Sequence, residues 1–172
     1  MLQILGSGMI LLGTMGIGYR YIQRERKIIS VIETWEHIMQ MFISEITYKK
    51  QPIAFACYEI GEKIGREEGK CLNIIAERMQ SKKRECFWVI WEEECLKYSK
   101  KEKLTEEINE ILKEFGMLSG FEDEEIQKRM IEGQGEKWKN LRVRKQKEHQ
   151  ERKRLIWILS SCMGIMLILI LW

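Results

Sequence analysis

The chain has 172 residues, a length that suits one domain of ordinary size and little more. Its formal net charge of +3 is too small to indicate a nucleic-acid-binding protein. The five cysteines form no C-x-x-C pair and have no histidine at zinc-ligand spacing, so the sequence excludes a zinc finger. Such a scattered set is typical of reduced thiols in the cytosol, and we expect most of these cysteines to serve as core packing.

The chain begins with an apolar segment, residues 2–19, in which Gln3 is the one strongly polar side chain. Eighteen helical residues span about 27 Å, close to the thickness of a bilayer core, so we predict a transmembrane helix over residues 1–19. A cleaved signal peptide is the competing interpretation. It is disfavoured because the basic residues follow the apolar run, from Arg20 to Lys27, and no small-residue cleavage site comes after it.

A second apolar segment, residues 155–172, contains no charged residue and is predicted to be a second transmembrane helix. Basic residues lie on the inner side of both apolar segments, after the first and before the second. The positive-inside rule therefore places residues 20–154 in the cytosol and both termini outside the cytoplasm.

The central region has helical periodicity throughout and one proline, Pro52, which favours long uninterrupted helices. No alternating strand pattern is present. We predict an all-α fold, a six-helix cytosolic bundle between two transmembrane helices. The predicted helices cover residues 22–48, 52 to 65 or 69, 70–80, 83–98, 105–118, and 122 onward, the first and last of them running on from the membrane segments.

Six tryptophans divide between two predicted environments. Those in the central region fit a packed core: Trp35, Trp88, Trp91 and Trp138. Trp157 and Trp172 lie in or near the second apolar segment, where they fit membrane-interface anchoring.

Charge is segregated along the central helices. Residues 102–125 are strongly acidic, and residues 137–154 are basic. One interpretation is a set of solvated helix faces with a basic collar at anionic lipid headgroups. The other is a docking surface, for which Glu106, Glu107 and Glu110 are the candidate partner residues.

No pattern in the sequence indicates chemistry. There is no phosphate-binding glycine-rich loop, and His37 and His149 lie far apart in the chain. The carboxylates of residues 92–94 fall on different faces of a helix and do not converge. We therefore predict no catalytic, cofactor-binding or metal-binding residue, and a protein that is not an enzyme.

Two motif segments resemble the stage III sporulation protein AB family. The first motif segment, residues 45–56, is similar to the family pattern E-I-x-Y-x-x-x-P-L-x-x-A through Glu45, Tyr48, Pro52 and Ala56. The second, residues 115–127, is similar to F-G-x-x-L-G-x-x-D-x-x-x-Q and departs from it only at Ser119. Its matching residues are Phe115, Gly116, Gly120, Asp123 and Gln127.

The motif residues are interpreted first as parts of the fold, with direct partner contact as the alternative. Pro52 would begin a helix, and Gly116 and Gly120 would permit a tight turn or a close helix approach. Asp123 would cap or charge the first turn of the last helix. Glu45 and Tyr48 would tie the first helix to the turn that follows it.

The resemblance implies a role that the residues by themselves do not. It implies a cytosolic domain like that of type II secretion F proteins, and a place in the outer forespore membrane, on the mother-cell side. There the chain would be a non-catalytic platform or adaptor in the channel complex. The implied partners are a secretion-type sporulation ATPase and other stage III sporulation channel proteins, with no nucleic acid; homo-oligomerisation stays open. The alternative is a membrane-anchored regulator that works without a motor ATPase.

Overall fold

The computed structural model describes the backbone of residues 2–81, 85–118 and 124–171, and the side chains of residues 22–81, 85–117, 125–156, 158, 159, 162, 163 and 166. Over those residues the chain forms six α-helices and one π-helical turn, with no strand, so the prediction of an all-α fold is confirmed. The elements are α1 (Leu2–Ile43), the π-helical turn (Ser44–Tyr48), α2 (Ile53–Ile64), α3 (Glu67–Ser81), α4 (Phe87–Glu102), α5 (Glu106–Leu118) and α6 (Glu124–Leu171).

The two terminal helices run without a break from the apolar segments into the central region, as the sequence predicted. No helix among the described residues carries an apolar stretch long enough to cross a membrane. The two transmembrane helices and the domain limits at residues 19 and 154 therefore stay predictions.

The helix ends differ from the predicted ones by a few residues, for local reasons. Helix α2 ends before Gly65, whose φ of 62° is the left-handed conformation that stops a helix. Helix α3 begins three residues earlier than predicted, with Glu67 and Glu68 in its first turn, where carboxylates favour the helix dipole. Helix α4 lies about four residues later than predicted and ends at Glu102, before Lys103, whose φ of 54° is left-handed.

Residues 31–141 form one of two compact units, and aromatic rings fill its centre. The indole of Trp35 is fully buried and stacks on that of Trp138, with ring centroids 6.0 Å apart. It also meets the edges of Trp91 and Tyr98, at 6.1 Å and 5.9 Å. Each such ring pair contributes about 0.5–1.5 kcal/mol beyond the area that it buries, so this cluster joins α1, α4 and α6.

Helices α2 and α3 approach each other closely at two glycines. A Cβ atom on Gly69 would lie 2.5 Å from the backbone carbonyl oxygen of Gly61, and one on Gly61 would lie 2.9 Å from the backbone carbonyl oxygen of Gly69. Contacts this short have no room for a methyl group. The two glycines therefore set the packing distance between these helices.

The second compact unit consists of residues 1–30 and 142–172. Within it, Glu25 joins the two helices, since its carboxylate accepts from Arg152 at 3.2 Å and lies 2.9 Å from Nδ1 of His149. These contacts link α1 to α6 within the predicted basic collar.

One expectation about the core was wrong, and another, that the cysteines serve mainly as core packing, holds for three of the five. Trp88 was predicted to be buried with the other central tryptophans, but its side chain is 49% exposed. Cys57, Cys71 and Cys95 are buried as core packing, whereas Cys86 and Cys162 are exposed. Helical periodicity marks a broad apolar band on a helix, and the neighbouring helices decide which edge of that band is covered.

Candidate functional site

The first motif segment begins with a carboxylate that the fold buries. Glu45 lies in the π-helical turn and is only 3% exposed. Its Oε1 atom accepts hydrogen bonds from Nζ of Lys49 at 2.9 Å and of Lys63, on α2, at 3.1 Å. These bonds, the one from Lys49 first, lower the pKa of Glu45 against the opposing effect of burial. Glu45 therefore fastens the end of the first helical stretch to α2.

The rest of the first motif segment leads into α2. Pro52 is the N-cap residue, one position before the helix proper, and its carbonyl oxygen accepts from the backbone N–H groups of Phe55 and Ala56. Ala56 is fully buried. Tyr48, in contrast, is 77% exposed, so the expectation that it ties the first helix to the turn was wrong. The backbone of Glu45 makes that connection instead, by accepting from the N–H of Gln51 at 3.1 Å.

The second motif segment packs α5 against α4. Phe115 is buried, with its ring 4.7 Å from that of Trp91 and 5.1 Å from that of Phe42. A Cβ atom on Gly116 would lie 2.6 Å from Cδ1 of Trp91. The indole N–H of Trp91 donates to the carbonyl oxygen of Leu112 at 2.7 Å. The motif residues Phe115 and Gly116 thus form the seat of the Trp91 ring.

The remaining motif residues are placed less fully. Gly120 and Asp123 lie outside the described residues. Gln127 is half-buried on α6. The structure therefore brings each motif segment into a helix junction of its own, and the predicted roles of the motif residues in the family stay predictions.

The candidate partner residues lie on α5. Glu106 and Glu110 are exposed, and neither makes an ion pair or hydrogen bond to another described residue. Glu107 is half-buried and interacts with another residue. Further along the same helix, Glu114 pairs with Lys137 of α6. The acidic side chains of α5 that pair with no described residue, Glu106 and Glu110, therefore lie toward the start of the helix.

Two buried carboxylates were not singled out by the sequence. Glu94 accepts from Nη1 of Arg78 at 2.6 Å and from Nζ of Lys97 at 2.7 Å. Burial opposes its ionisation, and the hydrogen bonds from Lys97 and Arg78 outweigh burial and lower the pKa of Glu94. Glu68 accepts at 2.9 Å from the hydroxyl of Tyr98, whose pKa is raised by burial and by the nearby charge of Glu68. The partners lie 16 and 30 residues apart in the chain, on different helices, so neither pair leaves a local signal in the sequence.

The side chains described above either hold helices together or lie on a charged surface. Among the residues at 2–81, 85–118 and 124–171, no three or more His, Cys, Asp or Glu side chains are grouped so that they could hold a metal ion. His37 is exposed on α1, and His149 lies beside Glu25 in the other unit. The buried thiols of Cys57 and Cys95 have raised pKa values because burial disfavours the thiolate, which makes them poor nucleophiles.

Comparison with known proteins gives the family. No curated protein sequence matches the chain significantly. A solved structure of the stage III sporulation protein AB, SpoIIIAB, has a similar fold, with a TM-score of 0.66 at 18% sequence identity, covering 72% of this chain and 97% of that one. The sequence model of stage III sporulation protein AB matches residues 3–172, which span both motif segments, the central helices and both apolar ends. The chain therefore belongs to the stage III sporulation protein AB family.

Proposed function

We propose that this protein is a membrane-anchored, non-catalytic platform in the channel complex between mother cell and forespore. Its central helices lie in the cytosol and couple a secretion-type ATPase to channel subunits, while both termini lie outside the cytoplasm. The observation that carries the proposal is the family match over residues 3–172, which includes the two apolar ends together with the helical domain.

The terminal part of α6 supports the anchoring. Among the residues whose side chains the structure describes, five large apolar ones in this part are exposed: Leu155, Ile158, Leu159, Met163 and Met166. Each large apolar side chain left in water forgoes about 1.5–3 kcal/mol relative to burial, so these five favour contact with lipid. The basic residues from 142 to 154 come directly before them, as the positive-inside rule requires of a cytosolic flank.

The central unit supports a scaffold in the way it uses its buried polar groups. Glu45, Glu94 and Glu68 each accept hydrogen bonds from a partner on another helix, namely Lys63, Arg78 and Tyr98. Breaking a buried hydrogen-bonded charge is strongly destabilising, so these acids hold helices together. A platform that transmits force from a motor needs such fixed junctions.

Co-purification from sporulating cells tests the proposal. The full-length protein, tagged at one terminus and extracted in mild detergent, should bring down a secretion-type ATPase together with other stage III channel proteins. A membrane-anchored regulator would bring down a membrane protein without the ATPase, and that result would replace the platform with the alternative. Nucleotide or substrate turnover by the purified protein alone would show that it is an enzyme.

The acidic residues at the start of α5 are the candidate docking residues, and their burial decides which of them to substitute. Because Glu107 is half-buried and engaged, the reversal Glu106→Lys/Glu110→Lys changes surface charge with the least effect on packing. This variant should bind the ATPase less tightly than the wild type at low salt, and the difference should shrink as salt rises, since exposed charges are screened within about 10 Å at 0.1 M. Equal binding at low salt would place the docking site elsewhere.

A further inference from the structure

Trp88 stands apart from the other central tryptophans. Trp35, Trp91 and Trp138 are fully buried in the aromatic core, while the indole of Trp88 is half in solvent. Tryptophan is the residue most enriched at the energetic centres of protein interfaces, because one ring buries a large area with little loss of side-chain freedom. An exposed indole on a rigid helix is therefore a candidate anchor for a partner.

The helix pair α4 and α5 places further apolar side chains beside Trp88. The two helices run antiparallel, with Glu92 paired to Lys113 at 2.9 Å across their outer side. Trp88 and Leu96 lie one turn on either side of Glu92, so the three share one side of α4. Met117 lies one turn beyond Lys113, on the end of α5 nearest Trp88. Leu96 and Met117 are 38% and 61% exposed.

Charge adjoins these apolar side chains. Glu110 and Glu106 lie one and two turns before the Lys113–Glu114 turn of α5, on the side that continues to Met117. Both are exposed and make no ion pair among the described residues, whereas the carboxylate of Glu92 is neutralised by Lys113. We call this side of the two helices the α4–α5 face; it comprises Trp88, Leu96 and Met117, the neutralised Glu92–Lys113 pair between them, and the acidic residues Glu106 and Glu110.

The second motif segment packs α5 against α4 and so fixes the shape of the α4–α5 face. The Trp91 ring is fixed by its hydrogen bond to Leu112, by the ring of Phe115 and by the absence of a side chain at Gly116. Because the two helices are already locked together, a partner that binds here does not have to order them, and affinity is not lost to that ordering.

We infer that the α4–α5 face binds a segment of the partner ATPase that presents apolar side chains flanked by lysine or arginine. The inference rests on the proposed function and names the surface and the chemistry of its partner. The apolar side chains of that segment cover Trp88, Leu96 and Met117, and its cations meet Glu106 and Glu110. The apolar contact supplies affinity, while the charges steer association and fix the orientation.

The test measures binding of the purified ATPase to the full-length protein in detergent micelles. Trp88→Ala should weaken binding at least about tenfold, as expected for an anchor residue. The matched control is Phe55→Ala, which removes an exposed ring of α2 that is 43% exposed and should leave binding unchanged. Glu106→Lys/Glu110→Lys provides a second variant that does not touch packing, and it should slow association at low salt. Thermal melts of each variant show that the fold is retained.

Each outcome has one meaning. If the wild type binds the ATPase and Trp88→Ala binds it equally well, the inference is wrong and the platform function stands. If the wild type does not bind the ATPase, the platform function fails and the inference fails with it. If Trp88→Ala changes the molecular mass of the particle from a dimer to a monomer and leaves ATPase binding intact, the face joins two copies of this chain, and the inference is again wrong.

Discussion

The indole of Trp91 lies so close to the backbone of Gly116 that a Cβ atom there would come within 2.6 Å of its Cδ1. The ring is held in place, because its N–H donates to the carbonyl oxygen of Leu112 and it packs against the rings of Phe115 and Phe42. A glycine inside a helix is normally a liability. Here it is the condition for the α4–α5 packing.

We expect Gly116→Ala to destabilise the protein. The added methyl group overpacks the Trp91 seat, at a cost of about 1–3 kcal/mol, and this exceeds the roughly 0.5–1 kcal/mol that alanine gains over glycine in a helix. Urea unfolding followed by circular dichroism measures the difference. The control is Gly133→Ala on α6, where a Cβ atom meets nothing within 4 Å and stability should rise slightly. Equal effects of the two substitutions would contradict the packing argument.

We expect the stabilising effect of Glu45 to depend on pH. The folded-state pKa is lowered, chiefly by the hydrogen bond from Lys49. The contribution of the carboxylate is therefore complete above the unfolded pKa of about 4.3 and is lost as the pH falls through the folded value. Glu45→Gln should cost about 1–3 kcal/mol at pH 7. In urea titrations, the difference in unfolding free energy between Glu45→Gln and the wild type should be smaller at pH 3 than at pH 7.

The exposed carboxylate of Glu110 gives the control for that measurement. Glu110→Gln removes the same charge from a side chain that has no partner among the described residues and lies outside the first turn of α5, so it should leave unfolding unchanged at both pH values. A pH-independent deficit in Glu45→Gln would mean that the position matters for its shape and not for its charge.

We expect a fragment of residues 22–144 to fold without the apolar ends. The aromatic cluster and the buried ion pairs of the central unit all lie between residues 31 and 141. Circular dichroism should show a helical protein with a cooperative melt. Trp35→Ala in the fragment should lower stability by about 3–5 kcal/mol, since it removes the ring at the centre of the cluster. A broad, non-cooperative melt of the unaltered fragment would show that the core needs the membrane or a partner.

We expect both termini to lie outside the cytoplasm and the central unit inside it. Cys86 is the appropriate reporter for the central unit because it is exposed, whereas the thiol of Cys95 is buried and would not react. In intact cells, a membrane-impermeant maleimide should modify a cysteine added at either terminus, and should modify Cys86 only after permeabilisation. If Cys86 were labelled in intact cells while the terminal cysteines were not, the true topology would be the opposite of the one we propose.

The all-α class, the approximate helices and the family could be predicted from the sequence alone, because helical periodicity is local and the two motif segments are short, recognisable patterns. It also indicated that Trp35, Trp91 and Trp138 belong to a core. It could not separate Trp88 from them, since all four lie on apolar helix bands and only the packing of α5 against α4 leaves Trp88 at the edge.

The roles of the charged and small residues follow from the packing of the helices and could not be predicted from the sequence. Glu45 is buried, and its charge is paired by a lysine 18 residues away, Lys63, which reaches it from another helix. Gly61 lies in the middle of a helix and looks like a flaw in the sequence until α3 is placed against it. Such roles depend on distances between helices, which no local pattern of residues encodes.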